Sequence, residues 1–495
     1  MSIMKISKSK FIAGCQCPKR LYWQVREPEL AAEPGAASAA VMEQGREVGL
    51  LARQLFPGGV EVSSEGGLDQ AIRMTRELVA NREVPAIFEG TFENGGVLVR
   101  VDVLHRRRDG RFRLVEVKSS TDLREDAFHP EDVAIQYRVL SRCGMDVASA
   151  SLAHVNRDYV FQGGDIDVRR FFRIRNLTRR AEKLQHDLTF RLRAFFSVLN
   201  QPKAPDFPPG PHCTNPVTCE FYERCNPPRP DDHIGYLLYI HANAVEQLTE
   251  MSVESIRNIP DDYPLNERQR RAATCVQTGE PWFSPELGGE LDGLKYPLYF
   301  MDFETVNPAI PRFPGMRPYD QLPFQWSVHV QPEPGAEPEH HEFLAMDGSD
   351  PRRDFISSLC DVLGKKGSIV VYNAAFESQR LLELAGWLPE YSARIKKIQG
   401  RLWDLLPLMR NHVYHPAFAG SYSLKSVLPA LVPTMTYEGM EVGNGEDAGL
   451  AWESLLRGAL DQAERDRVRK ALLEYCGQDM LAMVRLLEVL RARRS

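Results

Sequence analysis

Along the chain the spacing of apolar positions divides into three stretches of different character. Residues 1 to about 226 mix helical spacing with a short alternating patch, VLVRVDVLHRRRDGRFRLVEVKSS, which predicts two strands joined by a basic turn. This part closes in a Pro- and Cys-rich segment, QPKAPDFPPGPHCTNPVTCEFYERCNPP. From 227 to about 290 short helical patterns, such as VEQLTEMSVESIRNIPDDYPL, lie between turn signals. From Tyr296 onward a new rhythm begins with strand YPLYFMDFET, strand QWSVHV and helix DFISSLCDVLG, then strand SIVVYN and helix ESQRLLELAGWL. Strands alternating with helices predict a layered α/β domain. The Pro/Glu/His-rich stretch QPEPGAEPEHHE reads as a surface loop. The expected plan is a first domain over 1–226, a helical spacer over 227–290 and an α/β domain over 291–495.

Composition narrows the class. A chain of 495 residues allows about three folded units. With 43 % apolar and 26 % charged residues it is an ordinary globular protein, which excludes disorder, collagen and coiled coil. Lys plus Arg number 61 against 67 Asp plus Glu, a net charge of −6, so any nucleic-acid contact has to come from local basic patches. No apolar run approaches the ~20 residues that cross a bilayer, and the apolar stretch at the start is short for a signal peptide. The expectation is a cytoplasmic protein with no membrane partner. Nine cysteines are too few for a disulfide scaffold; in a reducing compartment, clustered ones point to metal or chemistry.

Within the alternating patch, Asp102 lies on one strand, and Glu116 and Lys118 share a face of the next. Asp102 and Glu116 can meet at the ends of neighbouring strands and hold Mg²⁺ through hard oxygen ligands, while Lys118 orients water or steadies phosphate charge. The rival reading is a solvated strand face. Cys213, Cys219 and Cys225 recur with five residues between each, and Cys17 lies far upstream in GCQCPKRLYW. Structural zinc sites pair their cysteines two to four residues apart, so four thiolates spread this way suit an iron–sulfur cluster better. Residues 168–193 hold nine Lys/Arg against two Asp/Glu, interleaved with Phe and Leu at helical spacing. Arg106, Arg107 and Arg108 add a second basic cluster beside the proposed site. Both are footprints expected for phosphate contacts.

These residues resemble the RecB-like PD-(D/E)XK nucleases that carry an iron–sulfur cluster, among them the CRISPR-associated exonucleases and the AddB nuclease domain. The resemblance implies a [4Fe–4S] cluster on Cys17, Cys213, Cys219 and Cys225, metal carboxylates at Asp102 and Glu116, and a catalytic Lys118. Gln136, in DVAIQYRVL, matches the glutamine motif of that group. Gly49 stands where many relatives carry a metal-ligand His, and the last three cysteines are wider-spaced than the usual C-x2-C-x5-C.

The C-terminal stretch has its own constellation. Asp302 and Glu304 lie two apart on a strand, Asn373 and Glu377 follow another strand, and Tyr475 and Asp479 lie four apart on a helix. Carboxylates and one Tyr from these elements can surround one point, where two divalent metals would activate water and stabilise a leaving 3′ oxygen. Asp404, in RLWDLLPLMR, is a further candidate carboxylate. The order D-x-E, NAAFE, YCGQD resembles the DnaQ-like, RNase H-fold 3′–5′ exonucleases in their tyrosine version. On that resemblance Asp302, Glu304 and Asp479 bind Mg²⁺ or Mn²⁺, Tyr475 positions the attacking water, and Glu377 replaces the usual Asp, one methylene longer. The segment GSYSLKSVLPAL resembles the helix lining the substrate groove in that superfamily, which puts Lys425 near phosphate.

The whole chain resembles bacterial proteins that join these two halves through a short helical spacer. The expected function is a two-headed, metal-dependent nuclease acting on DNA, in repair, recombination or phage defence. The alternative is an N-terminal half that grips DNA without cutting, with catalysis, on DNA or RNA, confined to the C-terminal half. None of the 12 histidines lies in a nucleophile motif, and there is no G-x4-G-K-[ST] phosphate loop to drive an ATP motor.

Overall fold

The computed structural model describes residues 4–458 and 460–493 and is a mixed α/β protein. Two compact units divide the chain: Met1–Pro228 with Pro308–Asp320, and Arg229–Asn307 with Gln321–Ser495.

In the first unit, seven strands form one sheet: β1 (Ile6–Ser7), β2 (Val60–Glu61), β3 (Ala86–Asn94), β4 (Val97–Arg106), β5 (Phe112–Lys118), β6 (Val147–Val155) and β7 (Phe172–Asn176). Their order is β2-β3-β4-β5-β6-β7, with β1 alongside β4. Strand alternation sends the consecutive residues Leu114 and Val115 to opposite faces. Leu114 joins Val133, Ile135 and Leu140 of the helix His129–Arg142 and Leu188 of the helix Thr178–Leu199. Val115 joins Val48 and Ala52 of the helix Ala36–Arg53, together with Ala309 from the second segment of this unit.

Two expectations for this half are corrected. The basic stretch 168–193 is not continuous helix: β7 pairs antiparallel with β6 before the long helix begins at Thr178. FRIRN alternates as an edge strand does, and the Asn176 side chain accepts from the Thr178 amide at 2.9 Å and ends the strand. Arg106, Arg107 and Arg108 do not lie beside Asp102 and Glu116. The β4–β5 register pairs Val103 with Val115 and Arg106 with Phe112, so the basic turn closes the far end of the hairpin, about 13 Å along the strand from Asp102. The Arg106 guanidinium donates to the carbonyls of Val79, Asn81 and Val84 at 2.8–3.1 Å and lies over the Phe112 ring. It is tied into the sheet edge, whereas Arg107 and Arg108 are exposed.

The second unit contains a five-stranded sheet built from β9 (Leu298–Val306), β10 (Leu322–Gln331), β11 (Glu339–Leu344), β12 (Ile369–Val371) and β13 (Leu402–Asp404), in the order β11-β10-β9-β12-β13. β9, β10 and β11 pair antiparallel; β12 and β13 run parallel to β9. A smaller ladder joins β8 (Trp282–Phe283) to β14 (Val413–Tyr414). Tyr299, Met301 and Phe303 pack on one face of the sheet, and Leu298 and Phe300 on the other. The latter face receives the helix Gln462–Ala492, whose start is fixed by a reciprocal capping box between Asp461 and Glu464.

The stretch 227–290 is no separate spacer. Ile234, Leu237, Leu248, Ile256 and Ala272 share one buried core with Phe300, Leu405 and Met483. The stretch read as a surface loop also differs: EHHEFL is β11, paired with β10 from Val330↔Glu339 to Gln325↔Leu344. His and Glu are weak strand formers, and at a sheet edge their polar side chains stay hydrated, so alternation gave no signal.

Candidate functional site

β9 turns Phe300, Asp302 and Glu304 towards the C-terminal helix, because alternate strand residues share a face. On that helix Tyr475, Cys476 and Asp479 fall within about one turn and face the strand. Carboxylate oxygens of Asp302 and Glu304 and the Sγ of Cys476 all lie within 4.8 Å of one another. Glu377, in the first turn of the helix Ala374–Trp387, shares a hydrogen bond with Asp302. The Tyr437 hydroxyl donates to Asp479, which also takes a hydrogen bond from Tyr475. Lys425 Nζ is 5.9 Å from the ring centroids of both Tyr437 and Tyr475.

The electrostatics of this cluster are one-sided. Burial, then the neighbouring Asp479, pushes the Asp302 carboxyl up to about 7. Burial and Asp302 push Glu377 up to about 10. Glu304 is raised well above the carboxylate range by burial, Asp302 and Asp479. Asp479 is raised by burial despite the two tyrosine hydrogen bonds and Lys425. Among the described residues, no Lys or Arg forms a salt bridge with any of the four. Glu377 is 2 % exposed, and its Oε2 has no hydrogen-bond partner. A largely buried set of hard oxygens that no described Lys or Arg bridges, with an orphaned acceptor among them, fits a divalent cation.

Asp404 belongs to a different task. Its carboxylate accepts from the amides of Asn373 and Ala374, both at 2.9 Å, and of Leu406 at 3.0 Å. It holds the turn entering the Glu377 helix, where Asn373 has φ 79°, and has little left to offer a metal.

Residues 299–423 match the family model described as a domain of unknown function, DUF2779. The matched stretch holds Asp302, Glu304, Glu377 and Asp404; Lys425, Tyr437, Tyr475 and Asp479 lie beyond it. The chain is 26 % identical over 211 residues, 39 % of its length, to the uncharacterized protein MG366 homolog of Mycoplasma pneumoniae. It is 24 % identical over 212 residues to the uncharacterized protein UU173 of Ureaplasma parvum. The aligned stretch spans about a third of each relative, 32 % and 31 % respectively.

A second constellation lies in the first unit. Asp102 on β4 and Glu116 on β5 are neighbours, and Gln136 and Asp132 reach them from one face of the helix His129–Arg142. Gln136 Nε2 donates to Glu116 at 2.7 Å and to Asp132 at 3.1 Å. Lys118 bridges Glu116 at 2.8 Å and Asp132 at 2.5 Å. A further cation, Lys8, donates to both Glu116 oxygens at 2.9 Å. Burial alone would raise Glu116, but Lys118 and Lys8 hold it well below the usual carboxylate range. Asp102, raised by burial and by Glu116, is pushed up to about 7.

The four cysteines converge in the same unit. Cys17, Cys213, Cys219 and Cys225 line one small cavity with Trp23 and Phe221. None is in a disulfide. Gln16 donates to the carbonyls of His212 and Val217 at 2.6 and 2.8 Å, tying the helix before Cys17 to the segment around Cys213. Burial raises the Cys219 thiol to about 11, and Cys17 is raised by burial and by its neighbours Cys213 and Cys225. Four free thiols lining one cavity fit a metal or cluster bound as thiolates, which would relieve that penalty.

Four participants were missed in the sequence. Asp132 is four residues before Gln136 and Cys476 three before Asp479, so helical spacing could have found both. Lys8 and Tyr437 carry no such signal; long-range pairing alone brings them in. We expect Tyr437→Phe, which removes the hydrogen bond to Asp479 and keeps the ring, to slow any hydrolysis at this centre by about ten- to a hundredfold at unchanged melting temperature. Single-turnover rates on an end-labelled oligonucleotide check it.

Proposed function

We propose that this chain is a divalent-metal-dependent nuclease whose main catalytic centre is the Asp302–Glu304–Glu377–Asp479 cluster, acting on DNA from the 3′ end. The observation that carries this reading is the largely buried carboxylate set, bridged by no Lys or Arg among the described residues, with the orphaned Glu377 oxygen. A D-x-E strand crossed by a helix bearing Tyr475 and Asp479 supports the RNase H-like, DnaQ-type resemblance. Asp302, Glu304 and Asp479 are the residues that would hold Mg²⁺ or Mn²⁺, which supplies Lewis-acid activation of water and charge neutralisation at the departing 3′ oxygen. Tyr475, hydrogen-bonded to Asp479, orients the attacking water. Lys425, beside both tyrosines, offers positive charge to a phosphate entering that side of the site.

In the first unit, Asp102, Glu116, Lys118 and Gln136 support the RecB-like PD-(D/E)XK reading, and with it a second nuclease centre. A grip that does not cut is the second reading for this unit, favoured by the lysines that neutralise its carboxylates. The cysteine cavity supports a structural [4Fe–4S] cluster joining the two ends of the unit. Cys213→Ser should then abolish the cluster's visible absorbance and iron content and destabilise this unit by on the order of several kcal/mol. Anaerobic iron assay and melting curves measure both. No helix among the described residues is long and apolar enough to cross a membrane.

Paired 5′-labelled DNA and RNA oligonucleotides of one sequence, incubated with Mn²⁺, test the reading. A ladder shortening from the 3′ end on DNA supports it. A ladder on RNA alone changes the substrate class, and two intact oligonucleotides sink it.

A further inference from the structure

Asp102, Glu116 and Asp132 in the first unit are already saturated by the protein itself. Lys8 Nζ lies 2.9 Å from both oxygens of Glu116, 3.5 Å from Asp102 Oδ1 and 3.9 Å from Asp132 Oδ1. Asp102 Oδ2 accepts the Val117 amide at 2.7 Å. Lys118 takes Glu116 Oε1 and Asp132 Oδ2, and Gln136 takes Glu116 Oε2 and Asp132 Oδ1. Each of the six oxygens therefore faces a protein donor. The point between Asp102 and Glu116, where a divalent ion would sit, is held by an ammonium. The cluster at Asp302 is the opposite case, with an unpartnered Glu377 oxygen.

Lys8 is not a wandering surface side chain. It is the first residue of the helix Lys8–Gln16, which Ser7 caps through the Lys10 amide. On its N-terminal side β1 pairs with β4, with Ile6 fully buried and its amide 2.9 Å from the Gly96 carbonyl. On its C-terminal side Phe11 is fully buried, and the helix ends against Cys17. The backbone is fixed at both ends, leaving only the four-carbon stem free to swing.

We propose that Lys8 is a built-in competitor for the divalent ion at Asp102, Glu116 and Asp132, so that this centre takes its metal only when the ammonium is drawn off. An acceptor that can draw it off is a phosphodiester anion, to which a lysine binds as a point charge. The centre would then load metal after nucleic acid has bound, and stay unloaded otherwise. This rests on the nuclease reading for the identity of ion and substrate; the placement of Lys8 does not.

The test counts bound Mn²⁺ by electron paramagnetic resonance on the full chain carrying Asp302→Asn, so that the second centre contributes least. Adding Lys8→Met should tighten Mn²⁺ binding by roughly tenfold or more, since a full positive charge leaves the cluster. Adding Glu116→Gln to that variant should remove the gain. Lys8→Arg, which keeps the charge, should bind like its parent. Lys8→Gln is titrated in parallel and carries the test if the Met variant melts early. Equal Mn²⁺ affinity with and without the Lys8 charge overturns the proposal. Hydrolysis does not enter this count, so failure of the nuclease reading would show separately.

Discussion

Asp302→Asn is expected to cost at least about a thousandfold in metal-dependent phosphodiester hydrolysis while leaving the metal-free protein as stable as before, or more so. The two effects have opposite signs for one reason. Asp302 is half-buried beside Glu304, Glu377 and Asp479, and the charge with which it would hold a metal is repelled by its neighbours when no ion is present. The amide keeps shape and hydrogen bonding but removes one member of that repulsion. A residue serving only the core would behave otherwise, losing melting temperature and activity together. Differential scanning calorimetry without metal, beside single-turnover hydrolysis with Mn²⁺, separates the two cases.

The second large effect is a reversal of pH dependence by metal. An acid whose folded pKa lies above its unfolded value holds its proton more tightly in the folded chain. Its contribution to stability is greatest at low pH and is lost as pH rises towards the folded value. For Asp302 the loss runs from about 4, the ordinary carboxylate range, to about 7, and Glu377 extends the window to about 10. Metal-free protein should therefore melt lower at pH 8 than at pH 6. A divalent ion takes the place of the protons, so Mn²⁺ at about a hundredfold its dissociation constant should raise the melting temperature at pH 8 by about 5–10 °C, and by much less at pH 5. Melting curves at the three pH values, with Mn²⁺ or with chelator, read this directly. Asp302→Asn should flatten the metal-free slope.

The sequence carried much of this arrangement, for physical reasons that differ by element. D-x-E on a strand and Y-x3-D on a helix each fix a face by their spacing, and those residues do meet in the structure. Cys17, Cys213, Cys219 and Cys225 line one cavity, and Asp102, Glu116, Lys118 and Gln136 lie together. Local spacing cannot report register. The basic turn at Arg106–Arg108 is close to Asp102 in number, but the hairpin register sends it to the far end. Nor can it report contacts between distant segments. Lys8 reaches Glu116 across 108 positions, and Tyr437 reaches Asp479 from a segment without helical or strand rhythm. Asp404 has the residue type of a ligand but spends its oxygens on three backbone amides, and only hydrogen-bond geometry tells the two uses apart. The short helices after residue 228 read as a spacer because each is brief and bounded by turn signals; their apolar faces are satisfied by one shared core.

In the proposed function the carboxylate cluster around Asp302 hydrolyses phosphodiester bonds. The most direct measurement is degradation of 5′-labelled single-stranded DNA with Mn²⁺, comparing anaerobically purified wild type, Lys118→Ala and Asp302→Asn on one gel. Wild type is expected to shorten the strand from its 3′ end, Asp302→Asn to lose this ladder, and Lys118→Ala to keep it. A full ladder from well-folded Asp302→Asn would rule out hydrolysis at this cluster.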